Sequence, residues 1–245
     1  MRSLILETFA LTDIGHIREK NEDVFKILED HYIFSIADGM GGHKAGDIAA
    51  KETTNHLCQL LSKSLTSDNL SIDQIINHIT MAIQEANFRI YDLSTRFDSF
   101  KGMGTTLCLL HLNESKAIYA HVGDSRIYHF RDNSLLQLTK DHSLINKLES
   151  KNIPFNRKSY KNIITKAIGT HPKIEPTVGI TSFLKDDLFL MCTDGLSDYL
   201  SSENITEILN SSPSIKDACL NLISSAKNNG SCDNLTTLIV KIKSL

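Results

Sequence analysis

The chain has 245 residues, of which 41% are hydrophobic and 22% charged, and a formal net charge of −3. That length and balance suit one large folded domain and exclude a disordered chain. The small negative charge gives no reason to expect nucleic acid or an anionic membrane as a partner. No apolar run approaches the roughly 20 residues that a membrane-spanning helix needs. The opening Met1-Arg2-Ser3-Leu4-Ile5-Leu6-Glu7 meets an acid too early for a secretory signal, so a cytoplasmic protein is expected, and with no membrane segment or obvious docking surface a monomer is the default. Cys58, Cys108, Cys192, Cys219 and Cys232 show no C-x-x-C spacing and read as free thiols. No repeat or linker interrupts the chain, and a single domain over 1–245 follows.

In chain order, Val24–Leu28 and Tyr32–Ala37 read as short strands. Ala45–Leu61 carries Ile48, Ala49, Leu57 and Leu60 at helical spacing. From Ile72 onward, Ile75, Ile76, Ile79, Ile83, Ala86, Ile90 and Leu93 predict a longer helix, capped by Ser71 or Asp68. Strands are then expected at Thr105–Leu112, Ala117–Val122, Arg126–Phe130, Leu135–Leu138 and Leu188–Thr193. Asp132-Asn133-Ser134 forms a hairpin turn between two of them. Two short helices, Ser202–Leu209 and Ile215–Lys227, precede a last strand, Leu235–Ile242. Strands in close succession with helices in groups between them predict an α+β fold: a four-layer α-β-β-α sandwich, two antiparallel sheets flanked by helices.

The aspartates carry the functional signal. Asp38 and Asp194 each end an apolar strand, Asp124 follows Ala120-His121-Val122-Gly123, and Asp23 and Asp233 each open a strand. Asp23 and Asp38 are nearly symmetric about Glu29-Asp30-His31, so a hairpin would deliver both carboxylates to one end of a sheet. Asp194 leaves a strand and Asp233 enters one, which does the same if those strands are antiparallel. A single Asp at a strand end is usually a turn former. Five that converge would repel strongly unless cations neutralise them. An oxygen-only donor set favours Mg²⁺ or Mn²⁺, and two such ions about 3.5–4 Å apart suit phosphoryl chemistry. Gly39, directly after Asp38, leaves room for a backbone carbonyl to reach a metal.

At these same residues the chain resembles the metal-dependent protein phosphatases of the type 2C family, in their compact bacterial form. The resemblance rests on segments in family order. Thr12-Asp13-Ile14-Gly15-His16-Ile17-Arg18-Glu19-Lys20-Asn21-Glu22-Asp23 is followed by Ala37-Asp38-Gly39-Met40-Gly41-Gly42-His43 and Gly102-Met103-Gly104-Thr105-Thr106. Val122-Gly123-Asp124-Ser125-Arg126, Leu138-Thr139-Lys140-Asp141-His142-Ser143, Cys192-Thr193-Asp194-Gly195-Leu196 and Cys232-Asp233-Asn234 complete the set.

The resemblance implies a serine/threonine phosphatase in which a hydroxide bridging two Mn²⁺ or Mg²⁺ ions attacks phosphorus. Asp23, Asp38, Asp194, Asp233 and the Gly39 carbonyl would hold those ions, and Asp124 with Asp194 a third. Arg18 would grip the phosphate, and Glu22 would hydrogen-bond metal-bound water. Where animal relatives carry a histidine that protonates the leaving oxygen, this chain has Met40, leaving His43 or a metal-bound water as the acid. Residues 143–161 correspond to a variable flap, here basic through Lys147, Lys151, Arg157, Lys158 and Lys161, which reads as a solvated lysine-rich loop or as one that would draw acidic substrates. Cys232 adjoins Asp233, where it reads as an inert neighbour or as a thiol whose oxidation would weaken metal binding. Partners are then phosphorylated proteins made by a serine/threonine kinase. The alternatives are a catalytically silent relative that binds phosphoproteins, a phosphatase dedicated to one regulatory partner, and a Ca²⁺-binding structural module.

Overall fold

The computed structural model describes residues 4–40, 45–67, 70–114, 116–151, 153, 155–156, 160 and 163–244. Two antiparallel sheets form its middle. One runs β1 (Ile5–Asp13), β11 (Leu235–Ser244), β10 (Leu188–Cys192), β7 (Arg126–Arg131), β8 (Ser134–Gln137). The other runs β2 (Asp23–Leu28), β3 (Ile33–Met40), β5 (Leu107–Asn113), β6 (Lys116–Val122), β9 (Thr177–Ser182), with the short β4 (Gly104–Thr105) also on β3.

Alternation along the strands explains the layering. In β10, Phe189 and Met191 point between the sheets and meet Phe34, Ile36, Leu110 and Val240. Leu190 and Cys192 point the other way, into a cluster with α4 (Asp194–Ser197), α5 (Ser202–Ser211) and α6 (Ile215–Asn228). Both faces of such a central strand are buried, so both are apolar. The second sheet turns Ile33, Leu109, Ile118 and Ala120 towards α1 (Gly46–Ser64) and α2 (Ile72–Arg96). The result is the expected four layers, helices outside and sheets within.

Local chemistry sets the boundaries. Ser71, not Asp68, starts α2: its Oγ accepts from Gln74 N–H at 3.2 Å while Gln74 Oε1 accepts from Ser71 N–H at 2.8 Å. Asp132 and Asn133, at φ 49° and 60°, make the tight turn between β7 and β8.

Four elements depart from the sequence reading. β1 and β9 are edge strands, half-exposed and threonine-bearing, whose alternation is too weak to stand out. The strand expected over Thr105–Leu112 is two pieces, because Thr106 turns its hydroxyl to Ser125 Oγ (2.7 Å) and breaks the run. A short helix, α3 (Leu144–Ser150), capped by Ser143, lies in the segment taken as a flap loop.

At the end of β10 away from Asp194, Asp187 is 2% exposed and accepts from Arg131 Nε at 2.7 Å and Leu184 N–H at 2.8 Å, with His129 Nε2 also at 2.8 Å. Burial opposes its charge, but these partners hold the carboxyl below its ordinary value. A depressed carboxyl stabilises the fold above the unfolded pKa of about 4, and that contribution fades as acid protonates the folded group. We expect Asp187→Asn to cost about 2–3 kcal/mol at neutral pH, with the difference from wild type shrinking in acid. Urea melts at about pH 7 and pH 3.5 check this.

Candidate metal and phosphate site

The hairpin β2–β3 pairs Asp23 directly with Asp38, so both carboxylates leave the same end of the second sheet. In the first sheet β10 and β11 are antiparallel, with Cys192 opposite Thr237, and Thr193 N–H donates to Thr236 O (3.1 Å). Asp194 and Asp233 therefore emerge together. Gly195 sits so close to this crossing that a Cβ there would lie 1.9 Å from Asn234 O and 3.4 Å from Asp233 Cβ. Gly39 is equally constrained: a Cβ would lie 2.1 Å from Gly46 O, at the start of α1. Asp124, in the turn between β6 and β7, completes the rim.

Hydrogen bonds lock the backbone beneath these acids. Thr106 N–H and Thr105 Oγ1 both donate to Asp38 O (2.8 Å each), and Asp38 N–H donates to Thr106 Oγ1 (2.9 Å). Thr193 Oγ1 donates to Asp23 Oδ2 at 2.8 Å, joining the two sheets. His142 Nδ1 accepts from Gly123 N–H (3.1 Å), next to Asp124, while its ring stacks on His121 at 4.5 Å. Burial, then His121 and Lys166, push the His142 pKa down to about 4, which keeps that nitrogen an acceptor.

The electrostatics are those of an unbalanced cluster. Burial first, then the charges of Asp194 and Asp233, push Asp23 up to about 7. Burial, then Asp194 and Asp141, raise Asp124 to about 7. Burial, then Asp233 and Asp198, raise Asp194 to about 6. Asp38 is raised by burial and by Asp23, Asp194, Asp233 and Asp124 in turn. Asp23 Oδ1 and Asp194 Oδ1 are buried with no hydrogen-bond partner, the signature of a group waiting for a ligand. The donor set, all oxygen and all anionic, fits a hard divalent cation. Among the described residues no three His, Cys, Asp or Glu side chains are grouped tightly enough to hold an ion by themselves. Mg²⁺ and Mn²⁺ suit such an open rim, because waters complete their coordination.

Arg18 lies at the lip, its side chain 51% exposed, with Nη2 donating to Asp233 Oδ2 at 2.7 Å. Glu22 lies beneath, raised by burial and by the charge of Asp47. Cys232 is exposed beside Asp233, its Sγ 3.2 Å from Gly230 O. His43, Arg157, Lys158 and Lys161 lie outside the described residues.

Sequence reasoning missed three contributors. Asp47 opens α1 beside Glu22 and carries a buried Oδ1 without a partner. Asn234 accepts from Glu22 N–H (2.9 Å) and donates to Ile14 O (2.9 Å) and Lys20 O (2.8 Å), tying the Arg18 loop to the Asp233 turn. Asn21 donates to Thr12 Oγ1 at 2.8 Å and caps Asp23 N–H at 3.1 Å. Asn21 and Asn234 stand inside the quoted motifs, so only their roles were hidden.

Comparison with known proteins places the chain among similar sequences and folds. A family model described as protein phosphatase 2C matches residues 16–231. The serine/threonine phosphatase stp of Listeria welshimeri is 35% identical over 238 residues, covering 94% of this chain and 93% of that one. The solved serine/threonine phosphatase of S. agalactiae superposes with a TM-score of 0.89 at 34% identity, covering 98% of this chain and 100% of that one. The catalytic domain of the serine/threonine protein phosphatase PstP, solved in complex with two manganese ions, gives a TM-score of 0.85 at 30% identity, with 99% of this chain and 100% of that one covered.

A raised carboxyl pKa penalises the ionised fold, so the cation-free protein should lose stability as pH climbs from about 4 to 7. We expect a lower Tm at about pH 8 than at pH 5.5 in chelator, and a smaller difference for Asp124→Asn. Each kcal/mol is worth roughly 2–4 °C at this chain length. An undiminished difference in the variant would contradict the repulsion described here.

Proposed function

The chain belongs to the protein phosphatase 2C family, and from that premise we propose how its rim of acids works. It is a metal-dependent serine/threonine protein phosphatase whose substrates are phosphoproteins. In our reading Asp23, Asp38, Asp194, Asp233 and the Gly39 carbonyl would hold two Mn²⁺ or Mg²⁺ ions, and Asp124 with Asp194 would hold a third, weaker one. The observation that carries this is the convergence of five carboxylates from both sheets, two of them with buried, unpartnered oxygens.

When bound, the cations supply positive charge and Lewis acidity that lower the pKa of water and stabilise charge on a transferring phosphoryl group. The protein's own share is placement. Arg18 presents a planar fork at the lip, suited to two phosphate oxygens at once. Burial works against its charge, but Asp233, then Asp38 and Asp194, keep the guanidinium protonated. The same acids thus hold Arg18 over the position where phosphate would sit. Glu22, anchored through its backbone by Asn234, would orient water at the cluster. Met40 has no proton to give, so the leaving oxygen's proton comes from elsewhere, His43 or bound water.

We further infer substrates made by a serine/threonine kinase, a monomeric working form with the whole chain as one catalytic domain, and a cytoplasmic setting. Among the described residues no helix is long and apolar enough to cross a membrane, and a net charge of −3 offers no field for nucleic acid.

Phosphate release from a phosphothreonine peptide tests the reading. It should require Mn²⁺ or Mg²⁺, stop with chelator, and fall to background in Asp38→Ala. Arg18→Ala should lower kcat/KM by about 10²-fold, the cost typical of one lost charge-stabilising donor. Full activity in Asp38→Ala would refute the site. No turnover by folded, Mn²⁺-bound wild type would favour a phosphoprotein-binding role instead.

A further inference from the structure

We propose that Asn87, on the outer helix α2, is a positioning residue for the catalytic rim. The inference rests on the reading of Asp38 as a metal ligand and adds a residue that no motif contains.

Asn87 is 0% exposed, set among Ile83, Ala86 and Ile90 on the face of α2 that meets the second sheet. A buried amide is costly unless both of its ends are bonded. Here both are, and to one segment. Asn87 Oδ1 accepts from Gly169 N–H at 2.8 Å, and Asn87 Nδ2 donates to His171 O at 3.0 Å. That segment is the return leg of the long insertion between β8 and β9. Gly169, at φ +85°, presses so closely on α2 that a Cβ would lie 2.3 Å from Ile90 Cγ2.

The neighbouring residue carries the connection to the site. Ile168 exchanges both backbone hydrogen bonds with Thr105, at 2.9 and 3.1 Å. Thr105 Oγ1 donates to Asp38 O, and Thr106 closes on Asp38 from both its N–H and its hydroxyl. An unbroken run of hydrogen bonds therefore leads from Asn87 through Gly169–Ile168 and Thr105 to Asp38. Packing does not duplicate it on the far side. There Gly169 and Thr170 border a cavity of about 440 Å³ whose other walls include Tyr91, Thr95, Lys101 and Met103. Ile168 packs into the core beneath α1 and α2, and the two amide bonds fix where Gly169 and His171 stand beside it.

Only asparagine fits both bonds. A carboxylate could still accept from Gly169 but would turn an oxygen on His171 O, and an apolar side chain would leave both backbone groups unpaired. Loosening the anchor would free Ile168, weaken the pairing at Thr105, and let the Asp38 segment drift.

The test compares wild type, Asn87→Leu, Asn87→Asp and the control Ile79→Val, which trims an equally buried side chain on the same helix but removes no hydrogen bond to the return leg. Hydrogen exchange of the cation-free proteins reports the anchor, and the Mn²⁺ concentration for half-maximal phosphatase activity reports its consequence. Asn87→Leu should exchange faster at Thr105, Ile168 and Gly169 and need about tenfold more Mn²⁺, the usual cost of a lost outer partner. Asn87→Asp should fall between it and wild type, and stands in should Asn87→Leu fail to fold. Ile79→Val should lower Tm and leave both readings at the wild-type level. Exchange and Mn²⁺ demand in the Asn87 variants that match Ile79→Val would overturn the proposal while leaving the proposed function intact. A wild type without Mn²⁺ dependence would remove the premise itself.

Discussion

Five carboxylates cannot share a partly buried rim without a counter-charge, and much of this molecule is arranged around that constraint. Asp23, Asp38, Asp124 and Asp194 all sit above their ordinary pKa, for the same two reasons: burial and one another. Among the described residues nothing relieves this fully. Arg18 reaches Asp233, and Thr193 satisfies one oxygen of Asp23, but buried oxygens of Asp23 and Asp194 stay unpartnered. A site that stores this much repulsion gains its stability from cation binding, which is how binding energy and folding become linked.

The sandwich supplies the rigidity such a site needs. Each sheet contributes acids from the same end, and the apolar layer between the sheets, built on Phe34, Ile36, Phe189 and Met191, fixes the distance between the two sets. Thr193 bridges them directly at the rim. The glycines at 39 and 195 let backbones approach where any side chain would collide. The opposite end of β10 holds the Asp187–Arg131–His129 cluster, whose charges are fully partnered. One end of the molecule is thus electrostatically settled and the other is poised for a ligand.

How much of this could be read without coordinates depends on the range of each interaction. The Asp23–Asp38 hairpin was legible because the two acids stand nearly symmetric about a short turn, which fixes the register. The layers followed from strand and helix grouping, with α2 further marked by its Ser71 cap. β1 and β9 were not legible, since edge strands with one wet face carry weak patterns. Asn87 and Asn234 were hidden for a different reason. Their bonds reach backbone groups 82 and 212 residues away in sequence and leave no local period to detect. Contacts of that kind also decide how firmly the acids are held, so the chemistry of the site was visible earlier than its mechanics.

The most direct measurement of the central claim is a calorimetric titration of Mn²⁺ into the chelator-treated protein, wild type against Asp38→Asn. Wild type should bind at least two ions per chain, and Asp38→Asn, which removes one carboxylate charge while keeping the shape, should lose at least one. A folded wild type that binds no Mn²⁺, or an Asp38→Asn that binds with unchanged stoichiometry and affinity, would contradict the account.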